Sequence, residues 1–108
     1  MPIPKPGAPV RGSKTGAPIM VLFDLLGRRW AMGIIWNLSA GPAPFRVLQA
    51  KCETISPTIL STRLKELTEA HILERTLDGY RLTEPGHELF ALLKPLGDWS
   101  KEWAKTLV

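Results

Sequence analysis

The chain has 108 residues, enough for one domain with one modest core. Its formal charge is +4 and 44% of its residues are hydrophobic, a balance that suits a polyanionic partner without requiring one. A single cysteine excludes an internal disulfide and a cysteine-based zinc site, and no stretch reads as a leader or a membrane span. These totals predict a cytoplasmic protein with no membrane partner, no metal and no cofactor.

Residues 1–17 are rich in proline and glycine, carry Lys5, Arg11 and Lys14, and hold no acid. They read as a flexible basic arm, either a plain tail or a segment that touches DNA. The remaining residues, 18–108, form the predicted folded domain. The first helix is expected from Pro18 to Leu26, closed by Gly27. Its residues Ile19, Leu22, Phe23 and Leu26 belong to a surface that is apolar almost all round. So small a chain has too little core to bury such a helix, so a second subunit is expected to cover it. A second helix follows from about Arg29 to Leu38, with Trp30, Ala31, Ile34, Ile35 and Leu38 at core spacing. Met32 and Trp36 lie on its other side, either as dimer contacts or as the lining of a small-molecule effector pocket.

Gly41 to Pro44 ends that unit, and a short helix from Pro44 to about Gln49 comes next. Cys52 lies in the turn beyond it, with Lys51 and Glu53 pulling its acidity in opposite directions; it is read as inert, the alternative being a redox-reactive thiol. Ser56 and Pro57 then open a helix that runs to about Ala70. Leu60, Leu64 and Leu67 share its buried face, while Thr58, Ser61, Thr62, Lys65 and Glu69 stand opposite. The first two turns of that polar face carry hydroxyls and no acid, a surface suited to a major groove.

A hairpin from Leu73 to Thr83 is expected to turn on Asp78-Gly79, with Leu77 facing Tyr80 and Arg75 facing Leu82. Thr76 and Arg81 would point to the other side, leaving Arg81 free for a phosphate, with Arg75 able to reach one by extending past the sheet edge. The last helix begins near Glu84 with Thr83 as its cap, and Pro95 and Gly97 predict a kink or break in its middle. Leu96, Trp99, Trp103 and Leu107 recur on one face of it. His71 and His87 show no metal-ligand spacing, and no nucleophile–base set or phosphate-binding loop is present, so catalysis is not expected.

A polar-faced helix followed at once by a small hairpin is the pattern of a winged helix-turn-helix. The expected fold is therefore mainly α with a small β-hairpin, dimeric. From about Ala17 to Trp99 the chain resembles the HxlR family of bacterial transcription regulators, a MarR-like winged-helix group. The resemblance rests on Leu26-Gly27-Arg28-Arg29-Trp30, Gly41-Pro42, Ile55-Ser56, Arg63-Leu64-Lys65-Glu66-Leu67, Ile72-Leu73 and Tyr80-Arg81-Leu82-Thr83. It implies a homodimer on a pseudo-palindromic operator in double-stranded DNA, a recognition helix at 57–70, and a dimer interface made by the first and last helices.

Three departures stand out. Ala17-Pro18 occupies the place where some members carry a sensing Cys-Pro, the wing is short, and His71 replaces a usual glycine. On this reading Thr58, Ser61, Thr62 and Lys65 face the major groove, and Arg46, Lys51, Arg63 and Arg81 hold phosphates. Arg63 could instead pair with Glu66. Ile19, Leu22, Phe23, Leu26, Leu96, Trp99 and Trp103 form the dimer interface. The rival reading is a winged-helix protein–protein module without DNA binding, since Glu66, Glu69 and Asp78 dilute the basic face.

Overall fold

The computed structural model describes residues 3–52 and 54–108. Among the described residues five helices surround one core, and a two-stranded antiparallel hairpin lies between the fourth and fifth. Helix α1 spans Pro18–Leu26 as expected, with Pro18 in its first turn, where a missing N–H costs nothing. Before it, residues 3–16 turn on themselves: Gly7 bonds to Gly16 at 3.0 Å, Val10 pairs with Ser13, and Ile3 lies against the core.

Helix α2 spans Ala31–Leu38, starting two residues later than the pattern predicts. The delay has a local cause. Trp30 sits in the left-handed region at φ 77 and caps the helix from outside. An aromatic residue adopts that conformation only where its surroundings hold it there. Here the ring is partly buried against the core, and the Arg29 guanidinium lies 5.4 Å from its centroid. Ile34 and Ile35 are fully buried and place α2 at the centre of the molecule.

Helix α3 spans Phe45–Lys51 and α4 spans Pro57–Glu69. Ser56 caps α4 by accepting a bond from the Ile59 amide at 3.1 Å. The far end closes with a pair of crossed backbone bonds, Ile72 to the Leu67 carbonyl and His71 to the Thr68 carbonyl, both 3.0 Å. That closure needs a left-handed residue, and His71 supplies it at φ 62. Leu60, Leu64 and Leu67 enter the core beside Leu38, Leu48 and Leu73.

Strands β1 (Leu73–Thr76) and β2 (Gly79–Leu82) pair Leu73 with Leu82, Glu74 with Arg81, Arg75 with Tyr80 and Thr76 with Gly79. The turn is therefore centred on Leu77-Asp78, not on Asp78-Gly79. Neither central residue has positive φ; the left-handed position falls to Gly79 at φ 114. The correction shifts each pairing by two residues, so every side chain keeps its expected side of the ribbon. Ala43 adds a bridge to this sheet, exchanging two backbone bonds of 2.9 Å with Tyr80. A Cβ on Gly79 would run into the Ala43 carbonyl, which explains why glycine stands there.

Helix α5 runs unbroken from Glu84 to Lys105. The expected break at Pro95 and Gly97 does not occur. Pro95 only deprives the Ala91 carbonyl of its partner, and both residues are exposed, so water can replace that bond. Thr83 anchors the start: its hydroxyl accepts from the Gly86 amide at 3.0 Å and donates toward the His71 and Ile72 carbonyls. The end of α4, the hairpin and α5 are thereby tied at one point.

Candidate nucleic-acid interface

Helices α3 and α4 form a helix-turn-helix, and the hairpin stands beside it as a wing. The outer face of α4 presents Thr58, Ser61 and Lys65 to solvent, with Ile59 also exposed at its N-terminal end. Thr62 is half-buried, and its hydroxyl donates to the Thr58 carbonyl at 2.9 Å. It can still accept a bond or offer its methyl, but its donor is already used inside the helix. Arg46 and Lys51 are exposed on α3, and among the described residues neither they nor Lys65 forms an ion pair.

Arg81 departs from expectation, and Arg63 takes the alternative role given for it, the pairing with Glu66. Arg81 is not free: its Nε donates to the Glu74 carboxylate across the hairpin at 2.6 Å. Arg63 turns inward, donating through Nε to the Arg29 carbonyl at 2.8 Å and through Nη1 to Glu66 at 2.9 Å. Arg75 is the wing cation that stays available. It is exposed, lies 5.8 Å from the Tyr80 ring centroid, and has no ion-pair partner among the described residues. Together with Ser61 and Thr76 it lines an open groove of about 680 Å³ between α4 and the wing. Only the true cross-strand register, which sets Glu74 against Arg81, separates these two arginines.

Glu66, expected among the acids of the polar face, is turned away from it. It is in fact 4% exposed and engaged on both oxygens, by Arg28 at 2.5 Å and Arg63 at 2.9 Å. The exposed face of α4 thus carries one acid, Glu69, at its far end. Cys52 is buried in the turn before α4, and burial pushes its thiol up while the Asn37 amide at 4.0 Å works weakly the other way. Glu53, its expected neighbour, lies outside the described residues.

Away from this face the apolar surface is concentrated on α1 and α5. Ile19 and Phe23 are exposed and Leu22 is half-buried, whereas Leu26 is buried in the core of its own chain. Leu26 is therefore a core residue and not an interface residue. On α5, Leu96, Trp99 and Trp103 are exposed, and the two indoles stack at 5.9 Å and 12°. Met32 and Trp36 do line a groove, of about 280 Å³, with Leu93, Leu96, Gly97 and Ser100. Trp36 meets Phe90 edge-on at 5.2 Å, and a Cβ on Gly97 would come within 2.9 Å of its ring. No helix among the described residues is long and apolar enough to cross a membrane.

A helix-turn-helix with an adjoining β-hairpin, built around an outward polar helix, defines the winged helix-turn-helix class. Residues 25–107 match the family model described as HxlR-like helix-turn-helix, and the chain belongs to that family. Its members are transcriptional regulators and not enzymes. The chain is 34% identical over 90 residues to the transcriptional regulator YodB of Bacillus subtilis, covering 77% of this chain and 80% of YodB. It is 31% identical over 87 residues to the uncharacterised regulator YvaP of the same organism, covering 74% and 81%. Among solved structures, the quinone-bound YodB superposes with a TM-score of 0.73 at 36% identity, covering 79% of this chain and 97% of that one.

Proposed function

We propose that this transcriptional regulator binds double-stranded DNA as a homodimer on a pseudo-palindromic operator, in the cytoplasm. The observation that carries the reading is the outer face of α4, where Thr58, Ser61 and Lys65 are exposed and no acid intervenes before Glu69. Thr58, Ser61, Thr62 and Lys65 face the major groove in this reading. Arg46 and Lys51 on α3 hold the flanking phosphates, and Arg75 makes the wing contact, since Arg81 is paired with Glu74. The burial of Glu66 supports DNA over a protein partner, because it removes one of the acids that weakened the basic face.

The homodimer is supported by the unpartnered apolar strips on α1 and α5, around Phe23, Trp99 and Trp103. Two recognition helices related by a two-fold axis would engage half-sites about one helical turn apart. The quinone held by YodB supports a small, largely apolar effector for this chain as well, with the Met32–Trp36 groove as its site. Ala17 offers no thiol beside Pro18, so binding in that region would not form a bond to sulfur there.

Replacing Lys65 by alanine tests the central assignment. Operator binding, measured by gel shift on fragments selected by the native protein, should weaken about tenfold or more, the scale of one lost groove contact per subunit. The thermal midpoint should not move, because Lys65 is exposed and forms no ion pair among the described residues. Unaltered binding would remove Lys65 from the interface.

A further inference from the structure

The recognition helix touches the rest of the protein in two chemically different ways. Its leucines Leu60, Leu64 and Leu67 are buried, and apolar contact fixes depth but has little preference for direction. Its Glu66 and Arg63, by contrast, are bonded to the turn between α1 and α2. Arg28 reaches one oxygen of Glu66 at 2.5 Å, and Arg63 holds the other at 2.9 Å. Arg63 also donates to the Arg29 carbonyl at 2.8 Å, and Arg28 lies 3.9 Å from Asp24 at the end of α1. The carboxylate and both arginines are largely withdrawn from water, with side-chain exposures of 5%, 12% and 18%. The turn they grip is itself constrained, because Trp30 holds φ 77 beside it.

A buried ionic cluster is a poor device for raising stability, since desolvation offsets most of the attraction. Its directional bonds do something the leucines cannot: they stop α4 from rolling about its own axis. With side-chain tips about 5–6 Å from the helix axis, a roll of about 20° moves each tip by about 2 Å. Hydrogen bonds to base edges do not survive such a shift. We propose that Arg28, Glu66 and Arg63 form a clasp that sets the orientation of the recognition helix on the α1–α2 turn. Arg63 is then a positioning residue and not a phosphate ligand. The inference rests on the DNA-binding reading above, and it gives Arg28, which lies outside the helix-turn-helix, a part in operator recognition.

The test compares Arg63→Met and Arg28→Met, which keep the apolar stem and remove the bonds, with Arg28→Lys and Arg63→Lys as conservative partners. Three quantities are read: affinity for operator fragments selected by the native protein, affinity for random DNA, and the slope of log affinity against log salt. Both methionine variants should bind the operator about tenfold more weakly, the scale of a lost base contact, and random DNA as before. Their salt slope should equal that of the native protein, because no phosphate contact is lost.

Hydrogen exchange without DNA should show faster exchange along the first turns of α4 in both. If either methionine variant fails to fold, its lysine partner, which keeps the charge but not the planar fork, should show the same changes in smaller measure. A slope lowered by about one per subunit in Arg63→Met alone, with Arg28→Met silent, would make Arg63 a phosphate ligand and overturn the clasp. Native operator affinity in both variants would also overturn it. If the native protein shows no DNA binding at all, the DNA reading fails, and unchanged exchange in α4 then disposes of the clasp separately.

Discussion

Glu66→Ala should cost about 3–5 kcal/mol of folding stability, the loss that follows when one partner is removed from a buried ionic set. The carboxylate is bonded on both oxygens, so its loss removes the acid shared by Arg28 and Arg63 and leaves two largely buried cations side by side. For a domain of this size, with total stability of about 5–15 kcal/mol, that is a large fraction. Urea unfolding followed by circular dichroism measures it, with the midpoint expected to fall at an unchanged slope. A loss below about 1 kcal/mol, the value of an exposed surface pair, would mean that Glu66 reaches water in solution.

Glutamate at both Trp99 and Trp103 should convert the protein to a monomer and reduce operator affinity by about a hundredfold or more. The two indoles stack on the outside of α5 and are 61% and 48% exposed, with Leu92 and Leu96 exposed nearby. Aromatic area of that size in water is the usual mark of an interface. Charge on the same face opposes its burial. The affinity loss follows from valence: once one half-site is bound, the second binding event is intramolecular, an advantage worth about 10²–10⁴. Light scattering gives the mass and gel shift the affinity. A double variant that stays dimeric would move the interface elsewhere, and a native protein that is already monomeric would overturn the homodimer.

Much of this was legible because the residues that open and close helices act locally. Pro18 and Gly27 bracket α1, Ser56-Pro57 opens α4, and His71 stands where a left-handed residue must close it. The hairpin's sides were legible for the same reason, but its register was not. Asp78-Gly79 suits a turn with glycine at its centre as well as one with glycine just after it. The choice is made by Ala43, thirty-odd residues back in the chain, whose backbone pairs with Tyr80.

The least legible feature was the most consequential for the site. Glu66 and Arg28 are 38 residues apart, so helical spacing could place Glu66 only near the edge of the buried stripe. Arg63 is turned inward by another long-range bond, to the Arg29 carbonyl. Cross-strand pairing with Glu74 likewise occupied Arg81 and left Arg75 as the wing's unpaired cation among the described residues.

The most direct test of the DNA-binding account is the salt dependence of the native protein's affinity for DNA. Phosphate contacts by Arg46, Lys51 and Arg75 from each of two subunits would displace enough counterions to give log affinity against log salt a slope of about −5. Titration of a labelled operator fragment by fluorescence anisotropy at several salt concentrations reads that slope. A steep negative slope supports α4 and α3 as the nucleic-acid face. A flat response would contradict it and leave a winged helix that recognises protein.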